Sequence, residues 1–362
     1  MSQLSAGRQV VLVSGTNGKT TTSTYVAACL RRAGDVDANS DGANTPAGLM
    51  RAIAGGDAPT VVLETDEGWL PWALEQTRAS TAVLLNLSRD QLHRHHEVRA
   101  LAAAWHRALP ALPHAVANCD DPQVVFPAMA AQRQTWVGVG HSWLDDAVVC
   151  PRCGDECRRS DGDWGCRCGL RRPSPSWWLE GNDLVSRTTR VSLELGLPGS
   201  VNLSNAAMAV ATAASLGVDP ADAAGALHDI VAVAGRYDVL EHAGRQARLV
   251  LAKNPASWVE ALSLVAPGDR PIVLAFNSDG VDGRDPSWLY DVPFGRIAHH
   301  PVVVLGRRAT DMLVRLEMAD VRDVREADDV HAALEIVRPG PVDVVANYTA
   351  FQAIRKDLGH DT

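Results

Sequence analysis

The first residues able to do chemistry lie close to the N-terminus, in the run Gly15-Thr16-Asn17-Gly18-Lys19-Thr20-Thr21. Four apolar residues, Val10–Val13, precede the run and predict a buried parallel strand, and the residues after it predict the start of a helix. The backbone N–H groups of such a turn, together with a helix N-terminus, bind polyphosphate. Lys19 would contact the β- and γ-phosphates, and the Thr20 hydroxyl would hold Mg²⁺. The run predicts an ATP site, and each of its residues is a predicted ATP contact.

Two glutamates stand at the end of a second predicted strand. Glu64 ends the segment Thr60–Glu64, and Glu67 follows in the next turn. Ligand sites in α/β proteins lie at the carboxyl ends of parallel strands. Mg²⁺ prefers oxygen ligands and is commonly held by one or two carboxylates together with phosphate oxygens. We expect Glu64 or Glu67 to complete the magnesium site begun by Thr20; the alternative is a solvated acidic turn.

Five of the seven cysteines crowd between positions 150 and 168. Cys150 and Cys153 form one pair, and Cys166 and Cys168 form another with only Arg167 between them. Paired thiolates on tight glycine-containing turns are the ligand geometry of a zinc ribbon. The predicted zinc ligands are Cys150, Cys153, Cys168 and either Cys166 or Cys157. Four protein ligands leave no open coordination position, so this zinc would be structural.

Strand-like and helical segments alternate around these motifs. The predicted strands are Val10–Val13, Thr60–Glu64, Thr81–Asn86, Ala115–Asn118, Thr135–Val139, Leu249–Leu251, Pro271–Phe276, Val302–Leu305 and Val342–Ala346. Ala100–Leu109 and Asn202–Gly217 are predicted helices. Such alternation indicates an α/β fold, with helices on both faces of a parallel sheet. We expect one domain at residues 1–234, with the zinc ribbon inserted at about 148–175, and a second α/β domain at 235–362.

Composition narrows the class of protein. A chain of 362 residues, 46% hydrophobic and 21% charged, is typical of two globular domains. The net charge of −9 and the lack of a basic run argue against nucleic-acid binding. No apolar stretch approaches the ~20 residues that span a bilayer. Met1–Arg8 is polar and too short for a signal peptide. We expect a cytoplasmic protein with no transmembrane segment.

Several of these motifs resemble known families of ligases. The form Gly-Thr-Asn-Gly-Lys-Thr at 15–20 resembles the Mur ligase and folylpolyglutamate synthase group of ATP-dependent amide-bond ligases. Segment 86–93, the cysteine ribbon and Leu251–Ala256 are similar to the MurT family within that group, although His93 replaces an aspartate. The resemblance implies a Mur ligase-type central ATP-binding domain and a MurT-type C-terminal domain. Family members have a longer segment before residues 15–20, here called the phosphate loop, so we expect a missing edge strand and helix or a misassigned start.

The resemblance also implies further nucleotide contacts. The segment 118–122, Asn-Cys-Asp-Asp-Pro, resembles the element that passes the adenine and ribose, and it implies that Asn118 and Asp121 bind ATP. The segment 202–207 resembles a helix near the nucleotide and implies the same for Asn205. An N-cap is the alternative for Asn202. In the Mur group a glutamate at the place of Glu64 or Glu67 holds the metal.

A reaction and a partner follow from the same resemblance. MurT subunits amidate the D-isoglutamate α-carboxylate of the lipid II stem peptide through an acyl phosphate. Their ammonia comes from a GatD-like glutamine amidotransferase, whose Cys–His arrangement is completed by a MurT aspartate. The resemblance places that aspartate at Asp291, with Asp285 as the alternative, and makes Lys19 the residue that stabilises the transferring phosphate.

This chain has no nucleophilic cysteine motif for glutamine hydrolysis, so we expect a heterodimer that acts on lipid II at the inner membrane surface. Two alternatives stay open. One is a Mur- or folylpolyglutamate-type ligase that adds an amino acid and needs no partner. The other is a zinc-ribbon module that binds ATP without turnover.

Overall fold

The structure is a computed structural model that describes residues 4–39, 42–89, 98–140, 143–233, 236–265, 267–277 and 286–359. The chain divides into two compact units, Met1–Val231 and Ala232–Thr362, here called the first and the second unit. Both are built from strands that alternate with helices. The predicted α/β fold class is therefore confirmed.

The first unit contains eleven described strands and seven α-helices. Its strands are β1 (Gln9–Ser14), β2 (Val36–Ala38), β3 (Thr60–Thr65), β4 (Thr81–Leu84), β5 (His114–Asn118), β6 (Arg133–Gly138), β7 (Arg158–Ser160), β8 (Asp163–Gly165), β9 (Trp177–Glu180), β10 (Asp183–Ser186) and β11 (Arg190–Ser192). Its helices are α1 (Lys19–Leu30), α2 (Pro46–Ala54), α3 (Leu70–Thr77), α4 (Val98–Ala108), α5 (Pro122–Ala128), α6 (Ser200–Ser215) and α7 (Pro220–Gly225). Short 3₁₀ helices lie at Leu109–Ala111 and Asp145–Ala147.

The main sheet of this unit has the strand order β11-β10-β9-β6-β5-β4-β1-β3-β2. Its central strands are continuous apolar runs because helices cover both faces. Alternate residues such as Leu12 and Leu63 pack on α2 to α5, where Trp105 is fully buried. Helices α1 and α6 contact β3 and β5 and also pack against each other. The carboxyl ends of β1, β3, β4 and β5 consequently lie side by side at one edge of the sheet.

The outer part of the sheet differs from the parallel arrangement expected from the sequence. Strand β9 pairs with β6 in parallel, but β9, β10 and β11 are mutually antiparallel. Gly181, at φ 63°, makes the tight turn between β9 and β10. A connection this short can join only antiparallel neighbours, because parallel strands need a long crossover. The sheet is thus mixed, with a parallel centre and an antiparallel edge.

The second unit is a six-stranded sheet with the order β12-β13-β17-β14-β15-β16. Its strands are β12 (Tyr237–His242), β13 (Arg245–Leu251), β14 (Ile272–Ala275), β15 (Val302–Leu305), β16 (Val324–Glu326) and β17 (Gly340–Ala346). Its helices are α8 (Pro255–Val265), α9 (Ala309–Met318), α10 (Val330–Ile336) and α11 (Tyr348–Asp357), with 3₁₀ helices at Pro286–Asp291 and Phe294–Ile297. Only the β12–β13 hairpin is antiparallel among its described pairs. One apolar core lies on each face of the sheet.

Across the described parts of the chain, no helix combines the length and the apolar character needed to cross a membrane.

Candidate functional site

The phosphate loop connects β1 to α1 at the carboxyl edge of the parallel strands. Both of its glycines have backbone angles that disfavour other residues, with φ at 153° for Gly15 and 82° for Gly18. A Cβ on Gly15 would lie 2.9 Å from the Leu85 Cβ, and one on Gly18 would lie 2.5 Å from Asn205 Oδ1. The positive φ at both positions, together with the close approach of the segment after β4 at Gly15, therefore requires glycine at both.

The segment after β4 holds the phosphate loop by hydrogen bonds. The side-chain amide of Asn86 pairs with the backbone of Asn17: the Asn17 N–H donates to Oδ1 at 2.9 Å, and Nδ2 donates to the Asn17 carbonyl oxygen at 3.0 Å. The Ser88 N–H donates to the Thr16 hydroxyl at 3.0 Å. Sequence reasoning did not single out Asn86 or Ser88 as site residues, although a polar segment after a buried strand is a signal for them.

Lys19 is buried at the first position of α1, and its ammonium group has three acceptors. It donates to the carbonyl oxygens of Gly15 at 2.6 Å and Thr16 at 3.1 Å, and to Glu67 Oε2 at 2.8 Å. Both side chains of the Lys19–Glu67 pair are about 5% exposed. The Glu67 carbonyl oxygen accepts from the Trp105 indole N–H at 2.8 Å, which fixes the turn after β3. The ammonium group of Lys19 is thus buried and lies against the phosphate loop.

The remaining predicted metal ligands occupy the same edge. Glu64 is buried on β3 opposite Val13 of β1, and its Oε1 accepts from Asn44 Nδ2 at 3.1 Å. Thr20 lies in the first turn of α1 and is half-buried. Hydroxyl and carboxylate oxygens are suitable Mg²⁺ ligands, so the donor chemistry of Thr20, Glu64 and Glu67 fits this ion. Glu67 is in addition the partner of Lys19, which the sequence did not predict.

The helix α6 lies against the phosphate loop through Asn205. Its Oδ1 accepts from the Thr22 hydroxyl at 3.2 Å, and Thr21 beside it on α1 is also buried. The N-cap interpretation of Asn202 is wrong. Gly199 precedes the helix at φ 99°, and Asn202 lies inside the first turn, where Nδ2 donates to the Pro198 carbonyl oxygen at 2.7 Å.

The segment after β5 carries the other predicted nucleotide contacts. Asn118 Oδ1 accepts from the Asp120 N–H at 2.9 Å. Asp121 is fully buried and caps α5, since Oδ1 accepts from the Gln123 N–H at 2.8 Å and Oδ2 from the Leu87 N–H at 2.9 Å. Asp121 thus connects this segment to the chain that holds the phosphate loop.

Asp120 connects the same segment to the cysteine-rich insertion, a link that the sequence analysis missed. Arg172 Nε donates to Asp120 Oδ1 at 2.6 Å, and Arg159 Nη2 donates to the Asp120 carbonyl oxygen at 3.2 Å. The Trp164 indole N–H donates to the Cys119 carbonyl oxygen at 2.9 Å. The insertion is therefore fastened to residues 119 and 120 by three side chains.

Four cysteines of this insertion come together. The sulfur atoms of Cys150, Cys153, Cys166 and Cys168 all lie within 4.8 Å of one another, with 3.7 Å between Cys150 and Cys168 and 3.4 Å between Cys153 and Cys166. A zinc tetrahedron with Zn–S bonds of about 2.3 Å has sulfur–sulfur edges of about 3.8 Å. The four thiols therefore fit a zinc ion.

Cys157 lies outside that set of four. It is buried in a small apolar cluster with Trp164 and Leu170, and burial raises the pKa of its thiol to about 12. The pKa of the Cys168 thiol is instead lowered to about 7, chiefly by the backbone N–H of Leu170. The geometry thus groups Cys166, and not Cys157, with the other three cysteines.

The two turns that carry the four thiols are similar. Gly154 and Gly169 follow Cys153 and Cys168 with φ of 85° and 87°. Arg167, the single residue between the second pair, donates from Nε and Nη2 to the two carboxylate oxygens of Asp155 on the first turn, at 2.7 and 2.8 Å. An ion pair therefore bridges the two turns beside the cysteine cluster.

In the second unit, Asp291 is the last residue of the 3₁₀ helix Pro286–Asp291 and is half-exposed. Asp285, the alternative, lies outside the described residues, as do His93 and the rest of segment 90–97.

Comparisons with known proteins agree with this architecture. The Mur ligase middle domain family matches residues 13–154, and the MurT ligase C-terminal family matches residues 251–351. The chain is 26% identical to the Staphylococcus aureus (strain COL) protein named lipid II isoglutaminyl synthase (glutamine-hydrolyzing) subunit MurT. That similarity covers 96% of this chain and 87% of the relative.

Solved structures share the fold. A pseudomurein peptide ligase type C from Methanothermus fervidus superposes with a TM-score of 0.77 at 18% identity, over 96% of this chain and 78% of that one. The MurF ligase of Thermotoga maritima in complex with ADP gives a TM-score of 0.65 at 17% identity, over 97% of this chain and 80% of that one. The chain therefore has the Mur ligase fold and is a homologue of the MurT subunits.

Proposed function

We propose that this chain is the ATP-dependent subunit of a glutamine-hydrolysing lipid II isoglutaminyl synthase. It would convert the D-isoglutamate α-carboxylate of the lipid II stem peptide to D-isoglutamine. The observation that carries the proposal is the similarity to a MurT subunit over 96% of the chain. The buried phosphate loop with Lys19 supports it, because carboxylate activation requires a site for a nucleoside triphosphate.

The reaction has two steps. A carboxylate oxygen of the substrate attacks the γ-phosphorus of ATP, the bond to the bridging oxygen breaks, and ADP leaves. Ammonia then attacks the acyl carbon, loses a proton, and the phosphate departs with the electron pair. Positioning and charge stabilisation dominate such phosphoryl transfer. Lys19 would exchange its present acceptors, Glu67 and two loop carbonyl oxygens, for phosphate oxygens.

The remaining ATP contacts are assigned by position. Gly15, Gly18 and the other loop residues would offer backbone N–H groups to the phosphates. Asn118 and Asp121 would contact the nucleoside of ATP, and Asn205 would contact the nucleotide from α6. Mg²⁺ would be held by Thr20 with Glu64 or Glu67, and when bound it neutralises charge on the phosphate oxygens.

Ammonia would come from a GatD-like glutaminase subunit, since this chain lacks a cysteine nucleophile motif for that reaction. We assign Asp291 to the partner's Cys–His arrangement. A third carboxylate of this kind holds the histidine in the required tautomer and stabilises its charged form. The complex would act in the cytoplasm on lipid II at the inner membrane surface.

The four cysteines Cys150, Cys153, Cys166 and Cys168 would bind a structural zinc ion. Four thiolates leave no open position for a substrate, so this metal would maintain the fold of the insertion and not take part in the chemistry.

The test is amidation of lipid II by the purified pair of subunits, driven either by glutamine or by ammonium salt. We expect both nitrogen sources to support amidation by the unchanged chain. Asp291→Asn should remove nearly all of the glutamine-driven reaction, leaving a small measurable rate, and keep the ammonia-driven one. Asp357→Asn, at an exposed carboxylate in the same unit, is the matched control and should change neither.

Three results would count against the proposal. Failure of a glutaminase subunit to bind the chain would remove the partner. Addition of an amino acid in place of ammonia would favour an amino-acid-adding ligase. Equal loss of both reactions in Asp291→Asn would exclude the assigned role of that carboxylate.

A further inference from the structure

A single arginine holds the chain on both sides of Asp291. Arg315, in α9, donates from Nε to the Leu289 carbonyl oxygen at 3.0 Å. Its Nη2 donates to the carbonyl oxygens of Tyr290 at 3.0 Å and Val292 at 2.9 Å. Hydrogen bonds from a charged donor are stronger than those between neutral groups. The guanidinium therefore fixes the backbone immediately before and immediately after Asp291.

Aromatic rings complete this anchor. The guanidinium carbon of Arg315 lies 5.3 Å from the centroid of the Tyr290 ring and 5.7 Å from that of Phe294. Phe294 is fully buried, and its ring packs edge-to-face on Trp258 at 5.7 Å. Tyr290 is 66% exposed. Arg315 thus connects a rigid buried cluster to an exposed turn.

The short helix that ends at Asp291 is stabilised by a side chain from another element. Asp291 ends a 3₁₀ helix of six residues, and such helices have poor hydrogen-bond geometry. A planar guanidinium can serve three carbonyl oxygens with one side chain, whereas a lysine ammonium lacks the rigid fork. Placement matters here because a carboxylate that orients a histidine loses its effect when it is displaced by about 1 Å.

We propose that Arg315 is a positioning residue for glutamine hydrolysis: by fixing residues 289–292, it sets the place at which Asp291 meets the histidine of the glutaminase partner. This inference rests on the proposed function. Arg315 acts through Asp291, so it does not affect the ATP-dependent step, whose residues belong to the first unit.

The experiment uses the full chain with its glutaminase partner in four forms: unchanged, Arg315→Ala, Asp291→Asn and the double variant. We expect Arg315→Ala to lower the glutamine-driven rate about tenfold to a hundredfold. The ammonia-driven rate should stay within about twofold, which also reports that the variant is folded. In the double variant the residual glutaminase rate should equal that of Asp291→Asn, because a residue that acts only through Asp291 adds no further loss.

Two further variants sharpen the test. Arg315→Lys should recover only part of the glutamine-driven rate, since it restores the charge without the fork. Arg322→Ala is the matched control: Arg322 follows α9, and its ion pair with Asp320 is exposed on both sides. This control should change neither reaction.

The outcomes separate the inference from the proposed function. Equal loss of both reactions in Arg315→Ala would give Arg315 a purely structural role. A double variant slower than Asp291→Asn by the full effect of Arg315→Ala would show that the two residues act independently. Absence of glutamine-driven amidation in the unchanged pair, or no effect of Asp291→Asn, would overturn the proposed function or its use of Asp291, and the role of Arg315 with it.

Discussion

The phosphate loop and the cysteine insertion belong to the same unit but are stabilised in different ways. The loop is continuous with a buried sheet, and it is held by backbone and amide hydrogen bonds from the chain after β4. The insertion has a two-stranded sheet and a small apolar cluster that it shares with Cys119 and Val125 of the neighbouring segment. We therefore expect its four clustered thiols, by binding a metal ion, to contribute most to the stability of the insertion.

The two regions should therefore respond differently to substitution. Substitution of Lys19 in the phosphate loop should lower the reaction rate. It should also destabilise the fold, because the ion pair between Lys19 and Glu67 is buried. Changes in the insertion should alter metal binding first and nucleotide binding second, through the contacts at residues 119 and 120.

Replacing Lys19 by Met should lower ATP-dependent amidation by about a thousandfold, because the cation for the transferring phosphate is gone. It should also destabilise the first unit, by about 3 to 5 kcal/mol, since the buried Glu67 carboxylate loses its ion pair with Lys19. The double variant K19M/E67Q should recover most of the stability and none of the activity. Denaturant unfolding and amidation assays measure the two effects. Full recovery of activity in the double variant would contradict the assigned role of Lys19.

Replacing Cys153 by Ser should reduce zinc content from one ion per chain to nearly none, because one of four thiolates is lost. Cys157→Ala is the matched control and should keep the zinc, since Cys157 lies outside the four clustered thiols. Elemental analysis of the purified variants checks this. Loss of zinc in Cys157→Ala with retention in Cys166→Ala would reverse the choice of the fourth ligand.

Replacing Arg172 by Ala should raise the KM for ATP severalfold and change kcat little. Arg172 makes one of the hydrogen bonds between the insertion and Asp120. In the variant, Asp120 Oδ2 would keep the hydrogen bonds that it accepts from the Val139 and Gly140 N–H groups. The neighbouring Arg171 is exposed, and Arg171→Ala is the matched control. An unchanged KM in Arg172→Ala would show that the insertion does not support the nucleotide segment.

The smallest effect is a pH dependence carried by His114 on β5. Burial, together with Arg133 at 3.0 Å, lowers the pKa of His114 to about 4. The unfolded chain, with an ordinary histidine pKa near 6.5, binds the proton first. The contribution of neutral His114 to the free energy of unfolding is therefore fully present above pH about 6.5, and it is lost as the pH drops towards 4. His114→Gln should weaken the dependence of the free energy of unfolding on pH between about 4 and 6.5, measured by urea unfolding. An unchanged pH dependence would exclude His114 as its source.

The sequence predicted the parallel centre of the first sheet because buried parallel strands are continuous apolar runs, as at Val10–Val13 and Thr60–Glu64. It also grouped Cys150, Cys153 and Cys168 as zinc ligands because they lie on local turns, but it left the fourth ligand open between Cys166 and Cys157. The contact between Arg172 and Asp120 was not predictable, because it joins residues 52 positions apart through the folding of the insertion. The antiparallel edge β9–β11 was missed for a related reason: its strands are three or four residues long and carry no strong periodicity.

The role of Glu67 illustrates another limit. Its place after β3 indicated a metal ligand, and the structure pairs it with Lys19 at 2.8 Å. Sequence spacing brings a residue to the correct edge of a sheet, but the partner of a carboxylate at that edge depends on side-chain geometry.

In the proposed reaction, the chain activates a carboxylate of the substrate with ATP for attack by ammonia. The most direct measurement uses lipid II labelled with ¹⁸O in the D-isoglutamate α-carboxylate, incubated with the subunit pair, ATP, Mg²⁺ and glutamine. We predict one ¹⁸O atom in the released inorganic phosphate and a primary amide at that carboxyl group by mass spectrometry. Amide formation with no ¹⁸O in the phosphate, or ¹⁸O transfer with an amino acid in place of the amide, would contradict the account.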